Sequence, residues 1–290
     1  MTRRLNRAFC VLLLLNACLP ALAQFPRIPS GVTKATERAR KAQDINQPWT
    51  MEQEIAFGEA TAAKVINVFG LYENEEMVKY VNLVGNTVAR NAPRRMTYHF
   101  AVLDRDILSA FALPGGFVFI TRGALANMKS EAELAGVLAH EVAHVDGRHL
   151  EKQIRAKKTT QWLTQEGTAF IPGPSELRQL AQEMFTEVVT TRYSQDKEDE
   201  ADRKGTQLAA LAGYRPSGLR DFLVVLAAAQ QNPANQQRLG LWGGSTHPPF
   251  AERIARLERI LPEFGDTGQT LEERFTANVN FGGTTPPGGN

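Results

Sequence analysis

Cysteine is nearly absent from this 290-residue sequence, which has only Cys10 and Cys18, both in its N-terminal stretch. If that stretch is removed, no thiol or disulfide remains, and the chain must hold together by its core. Long apolar runs are missing too. Beyond residue 23 none approaches the ~18 residues needed to span a bilayer. Charge of one sign is not in excess, since 33 Lys and Arg against 31 Asp and Glu give +2. Loss of residues 1–23 removes three arginines and no acid, so +2 − 3 = −1. No basic footprint for nucleic acid is left. The 43% hydrophobic content is that of an ordinary globular chain, with length for one large domain or two small ones.

The N-terminus reads as an export signal. Arg3, Arg4 and Arg7 precede an apolar core from Ala8 to Leu15, and Ala21-Leu22-Ala23 is a small-x-small site with cleavage expected before Gln24. The alternative is a lipoprotein signal, because Leu15-Asn16-Ala17-Cys18 resembles a lipobox and would put a lipid anchor on Cys18. Both readings export the chain. Residues 24–48 are polar, with Pro26, Pro29 and Gly31, and read as an arm or linker.

The stretch that carries chemistry is His140-Glu141-Val142-Ala143-His144. On a helix this H-E-x-x-H spacing points two imidazoles, one turn apart, at one metal ion. Zinc takes neutral His nitrogens and, in catalytic sites, keeps a position open for water. A carboxylate one residue after the first His can take a proton from that water. The helix itself is well marked. Ser130 and Glu133 form a capping box, Leu134, Leu138, Glu141 and Val145 recur at helical spacing, and Gly147 offers a stop. The bland alternative is a surface helix with solvated histidines.

Upstream, Thr50 and Gln53 open one helix and Asn74 caps a second, both with plain core faces. Strands are expected at 97–103 and on either side of Pro114-Gly115-Gly116, from Ala110 to Leu113 and from Phe117 to Thr121. Together they predict a small antiparallel sheet directly before the metal helix. It is either plain core or an edge that binds an extended peptide by strand addition.

Downstream, Tyr193-Ser194 leads into a charged run. Helical phase separates its members. Ala201, Gly205, Leu208, Ala209 and Ala212 define an inward stripe that also contains Glu198 and Asp202, while Glu200, Arg203, Lys204 and Gln207 face away. An inward carboxylate needs a cation or donors. Glu198 is therefore the candidate third zinc ligand, and Asp202, one turn on, the acceptor that orients a ligand His. A metzincin would want its third His at position 150, which is Leu150. His149 is one place short and is expected at a helix end as a favoured cation. A last helix carries Ile254, Leu257 and Ile260. Residues 264–290, rich in Gly, Thr and Pro, read as a disordered tail.

These motifs, with Ala110-Phe111-Ala112-Leu113-Pro114-Gly115-Gly116 and Thr246-His247-Pro248, resemble the HtpX and prenyl-protein-protease family of gluzincin peptidases, in particular its soluble periplasmic, BepA-like branch. The likeness covers roughly residues 50–262, without the membrane helices of one branch or the helical-repeat domain of the other. It implies an α+β, mostly α, compact zinc protease domain over residues 49–263, holding one zinc ion per chain. By carry-over His140, His144 and Glu198 bind zinc, Glu141 is the general base and Asp202 stands behind a ligand. Leu113, Pro114, Gly115, Gly116 and Phe117 would line the substrate cleft. His247 is the candidate for a further catalytic group near the zinc, as an oxyanion donor or a ligand that keeps the enzyme latent. The expected partners are polypeptides, outer-membrane or periplasmic proteins, and the expected location is the periplasm, or the outer membrane for a lipoprotein. The rival class is a chaperone-like module that keeps zinc for structure and grips unfolded chains without cutting them. Glu141 argues against it, since a structural site needs no base.

Overall fold

A computed structural model describes residues 47–165, 173–190, 193–232, 238 and 249–281. The signal and lipobox stretches, most of the polar arm, and His247 lie outside the described residues. Helix α1 (Met51–Phe69) opens on the expected capping box: Thr50 Oγ1 accepts from Gln53 N, and Gln53 Oε1 accepts from Thr50 N. Helix α2 (Glu75–Ala89) starts at Asn74, whose side chain accepts from Met77 N. Strands β1 (His99–Leu103), β2 (Ala110–Leu113) and β3 (Phe117–Thr121) follow, and the short α3 (Arg122–Ala126) leads to α4 (Glu131–Asp146). Then come α5 (His149–Gln165), α6 (Pro174–Thr190), α7 (Gln195–Leu211), α8 (Gly218–Gln230), α9 (Phe250–Ile260) and α10 (Glu272–Asn278).

The sheet is mixed, in the order β1-β3-β2. Strands β2 and β3 form the expected antiparallel hairpin, with Leu113 opposite Phe117, through a turn in which Gly115 and Gly116 have φ of 81° and 92°. A side chain at Gly116 would also strike the Thr97 carbonyl. Strand β1 pairs with β3 in parallel, His99 opposite Phe117. That departs from a wholly antiparallel sheet. The connection from β1 contains β2 and its turn, which is long enough to bring β3 back in the same direction. Strand β2 is thereby left on an edge.

Helix α4 is the centre of the molecule. Every residue from Glu131 to Val145 is buried, so it has no polar face of the kind a surface helix shows. It packs on α2, β2, α7 and α8. The approach to α7 depends on Gly205, where an added Cβ would lie 2.8 Å from His140 Cα. Leu134, Leu138, Val142, Leu208, Leu219 and Phe222 belong to one apolar cluster. Trp49, Phe57, Leu113, Leu150 and Leu177 belong to another, where α1 packs on α6.

The disordered tail expected from residue 264 is corrected over residues 265–281. Phe275 of α10 is buried in the core, and Val279 and Phe281 pack against it. Arg274 pairs with the buried carboxylate of Glu131 at the start of α4, which also accepts from the hydroxyls of Tyr80 and Tyr214, each at 2.7 Å. A Gly-, Thr- and Pro-rich average over the whole segment conceals one short helix with one aromatic anchor. Residues 282–290 lie outside the described residues.

Candidate metal centre

Helix α4 places His140 and His144 on one face, their rings at 82° and their Nε2 atoms 3.0 Å apart. Helix α7 supplies Glu198, with Oε2 at 3.6 Å from His140 Nε2 and Oε1 at 3.7 Å from His144 Nε2. All three side chains are buried. Metal bonds of 2.0–2.1 Å at tetrahedral angles put neighbouring ligand atoms roughly 3.3 Å apart. The three observed separations bracket that value, so the donor set fits zinc. It is the one group of this kind among the described residues.

Behind the ligands is a second layer of charge. Asp202 Oδ1 lies 3.0 Å from His140 Nδ1, which turns the Nε2 lone pair toward the cluster. Arg253 of α9, wholly buried, donates to the same carboxylate through Nε at 3.1 Å and Nη2 at 2.5 Å. Its Nη1 stands 3.7 Å from Glu198. Burial by itself would raise the pKa of Asp202, but the charge of Arg253 and the contact with His140 outweigh it and hold the carboxyl well below its usual range. Glu141 has the opposite balance. Burial, reinforced by the negative charge of Glu198, pushes its pKa up to about 7 against the pull of His140 and Arg253. Its Oε1 makes no hydrogen bond among the described residues.

On the other side of His144, its Nδ1 lies 2.8 Å from Nδ1 of His149. The expectation of a cationic His149 is corrected here. It is 1% exposed, and burial lowers its pKa to about 4, so it is a neutral neighbour of a ligand. Tyr193 stacks on His144 with ring centroids 4.2 Å apart and planes within 18°. Burial, then the charges of Glu141 and Glu198, raise its pKa well above the usual tyrosine value. A recess beside the cluster is lined by Leu113, Pro114, His144, Val145, Leu150 and Tyr193. Of the turn residues expected to line a substrate cleft, Leu113 and Pro114 border this recess. Gly115 instead abuts α1 at Ile55, Gly116 abuts Thr97, and Phe117 stacks on His99 at 5.1 Å.

Residues 75–261 match the model of peptidase family M48, a span that takes in α2, the sheet, both helices that carry the His140–His144–Glu198 cluster and α9. The chain belongs to peptidase family M48. M48 relatives include a beta-barrel assembly-enhancing protease of Yersinia pestis, 31% identical over 71% of this chain and 43% of its own length. Another of that name, from Escherichia coli, is 28% identical over 70% of this chain and 42% of its own. The mitochondrial metalloendopeptidase OMA1 of Schizosaccharomyces pombe is 32% identical over 53% of this chain and 44% of its own. The chain thus spans under half the length of these M48 relatives. No helix among the described residues is long and apolar enough to cross a membrane.

Within the M48 site, sequence reasoning missed Arg253. The signal was present, because Arg253 shares a helical face with the buried Phe250 and Leu257. The phase argument that singled out Glu198 and Asp202 applies to it unchanged. Tyr193 stands in the sequence only as the start of the Tyr193-Ser194 motif, and its place against His144 shows only in the fold.

Proposed function

We propose that this protein is a zinc-dependent endopeptidase of the cell envelope that hydrolyses unfolded or misassembled proteins. The observation that carries the reading is the buried His140–His144–Glu198 cluster with Glu141 on the same helix, its Oε1 making no hydrogen bond among the described residues. His140, His144 and Glu198 would hold the ion, one per chain. When bound, it supplies Lewis acidity and brings the pKa of water toward ~7. Glu141 is the base that takes the water proton and later passes it to the leaving amine. Asp202 keeps His140 in the ligand tautomer, and Arg253 keeps Asp202 ionised. Edge strand β2 and the recess by Leu113 and Pro114 are the proposed seat of an extended peptide.

The signal-like residues 1–23 support a periplasmic location, with lipid anchoring at Cys18 as the alternative. The names of the bacterial relatives support outer-membrane barrel proteins as substrates or clients. His247, which lies outside the described residues, is proposed on the Thr246-His247-Pro248 motif alone as an oxyanion donor or a latency ligand. Gain of activity in His247→Ala marks it as a latch, loss marks it as a donor, and no change in activity or zinc affinity removes both roles. The main test is degradation of casein by the purified protein beside Glu141→Gln, with zinc determined in both. Cleavage by the wild type alone, at equal zinc content, is expected. Zinc in both and cleavage by neither would refute the peptidase reading in favour of a binding role.

A further inference from the structure

Hydrolysis of a peptide bond places a negative charge on the former carbonyl oxygen, and a donor fixed at that position lowers the barrier more than it helps substrate binding. Tyr193 has the features of such a donor. It immediately precedes the α7 cap residue Ser194, so the helix that carries Glu198 also fixes the start of the tyrosine. Its ring lies flat on the His144 imidazole and so cannot swing away without losing that stack. It lines the same recess as Leu113 and Pro114, at the end of edge strand β2. The His144 ring that it covers belongs to the His140–His144–Glu198 cluster, so the tyrosine borders the cluster directly. Yet the hydroxyl makes no hydrogen bond among the described residues. The partly buried phenol therefore keeps its proton available for a ligand in the recess.

We infer that Tyr193 is a catalytic residue of the proposed peptidase, its hydroxyl donating a hydrogen bond to the oxyanion of the tetrahedral intermediate. This role rests on the peptidase reading and does not depend on His247. As the water oxygen bonds to the carbonyl carbon, the π electrons of the carbonyl move onto its oxygen. Tyr193 donates a hydrogen bond to that oxygen and keeps its proton throughout, while the proton released from water goes to Glu141. When the C–N bond breaks, the carbonyl re-forms and the hydrogen bond weakens.

The test is Tyr193→Phe, which keeps the ring against His144 and deletes one oxygen. The zinc-loaded full chain is assayed with a quenched fluorescent casein peptide, and binding of a phosphinic peptide of the same sequence is measured by calorimetry. Binding of the uncleaved peptide is measured in the Glu141→Gln background with and without Tyr193→Phe. The expected result is a kcat lower by roughly 100- to 1000-fold, with KM and zinc content unchanged. Affinity for the phosphinic peptide, whose tetrahedral oxygen stands in for the oxyanion, should fall as well, while the uncleaved peptide binds as before. Unchanged kcat and phosphinic affinity would overturn the assignment and leave the ring as packing for His144. Equal weakening for both peptides would also overturn it, because that marks general binding. Failure of the wild type to cut or to bind the phosphinic peptide would sink the peptidase reading itself, before any substitution is compared.

Discussion

Replacing Arg253 by Met should reveal how far the site depends on a buried charge behind the His140–His144–Glu198 cluster. The methionine fills much of the same space and removes the cation. Asp202 is then a carboxylate at 2% exposure, holding the His140 Nδ1 contact at 3.0 Å but neither guanidinium bond. Breaking one partner of a buried pair costs about 3–5 kcal/mol. The lower end applies, because His140 still contacts the stranded group. At about 2–4 °C per kcal/mol for a domain of this size, Tm should fall by roughly 6–12 °C. Zinc affinity should also fall, by about 10- to 100-fold, as is usual when the partner behind a ligand is lost. The double variant Arg253→Met with Asp202→Asn removes both charges while leaving His140 an acceptor. It should be more stable than Arg253→Met alone, which is the non-additivity expected of groups in contact. Thermal unfolding with and without a chelator, together with zinc competition against a chromophoric chelator, measures both effects. If Arg253→Met unfolds and binds zinc like the wild type, the Asp202 carboxylate is not held by Arg253 and the account of the second layer is wrong.

Other perturbations test other parts of the structure. Burial raises the Glu133 pKa to about 7 from 4.5, so the folded chain binds that proton more tightly than the unfolded one. Its contribution therefore favours folding at low pH and is lost as pH rises from 4.5 through 7. Glu133→Gln should show a smaller drop in urea stability between pH 5 and pH 8 than the wild type, and an equal or larger drop refutes the assignment. Gly205→Ala sets a methyl 2.8 Å from backbone atoms of His140. It should cost about 1–3 kcal/mol and weaken zinc binding together, since the same helix separation governs both; normal zinc affinity in a destabilised variant would uncouple them. Phe275→Ala should cost about 3 kcal/mol or more in chemical unfolding, as for other buried phenylalanines. No change would mean that α10 is an appendage.

Much of this was legible in residue spacing. The capping box at Thr50, the Ser130 cap on Glu133 N, the helical phase that turns Glu198 and Asp202 inward, and the glycine turn are local patterns, and local patterns survive in a one-dimensional record; only the return half of the Ser130 box differs, since the Glu133 side chain accepts from Lys129 N instead. What failed to show was decided at long range. The parallel partner of β1 is 18 residues away, and nothing within 99–103 specifies its direction. His149 looked like a helix-end cation because its burial against His144 and Tyr193 depends on how α5 and α7 come together. Arg253 escaped because one charge on an apolar stripe looks like noise until its partner, Asp202, is seen 51 positions earlier. The helix in the tail was hidden by averaging.

One consequence of the central helix concerns what evolution is free to change. In most enzymes the residues that hold the core and those that do the chemistry sit on separate stretches and can drift independently. Here α4 does both tasks over the same fifteen residues, from Glu131 to Val145, with none of them facing solvent. A replacement in that stretch is a packing change in the helix that also carries His140 and His144 of the candidate metal cluster. A lineage built on this plan can diversify only from outside the helix. Even Leu113 and Leu150, which border the recess without belonging to the His140–His144–Glu198 cluster, are packed into the second apolar core, so change at the recess is also felt by the fold.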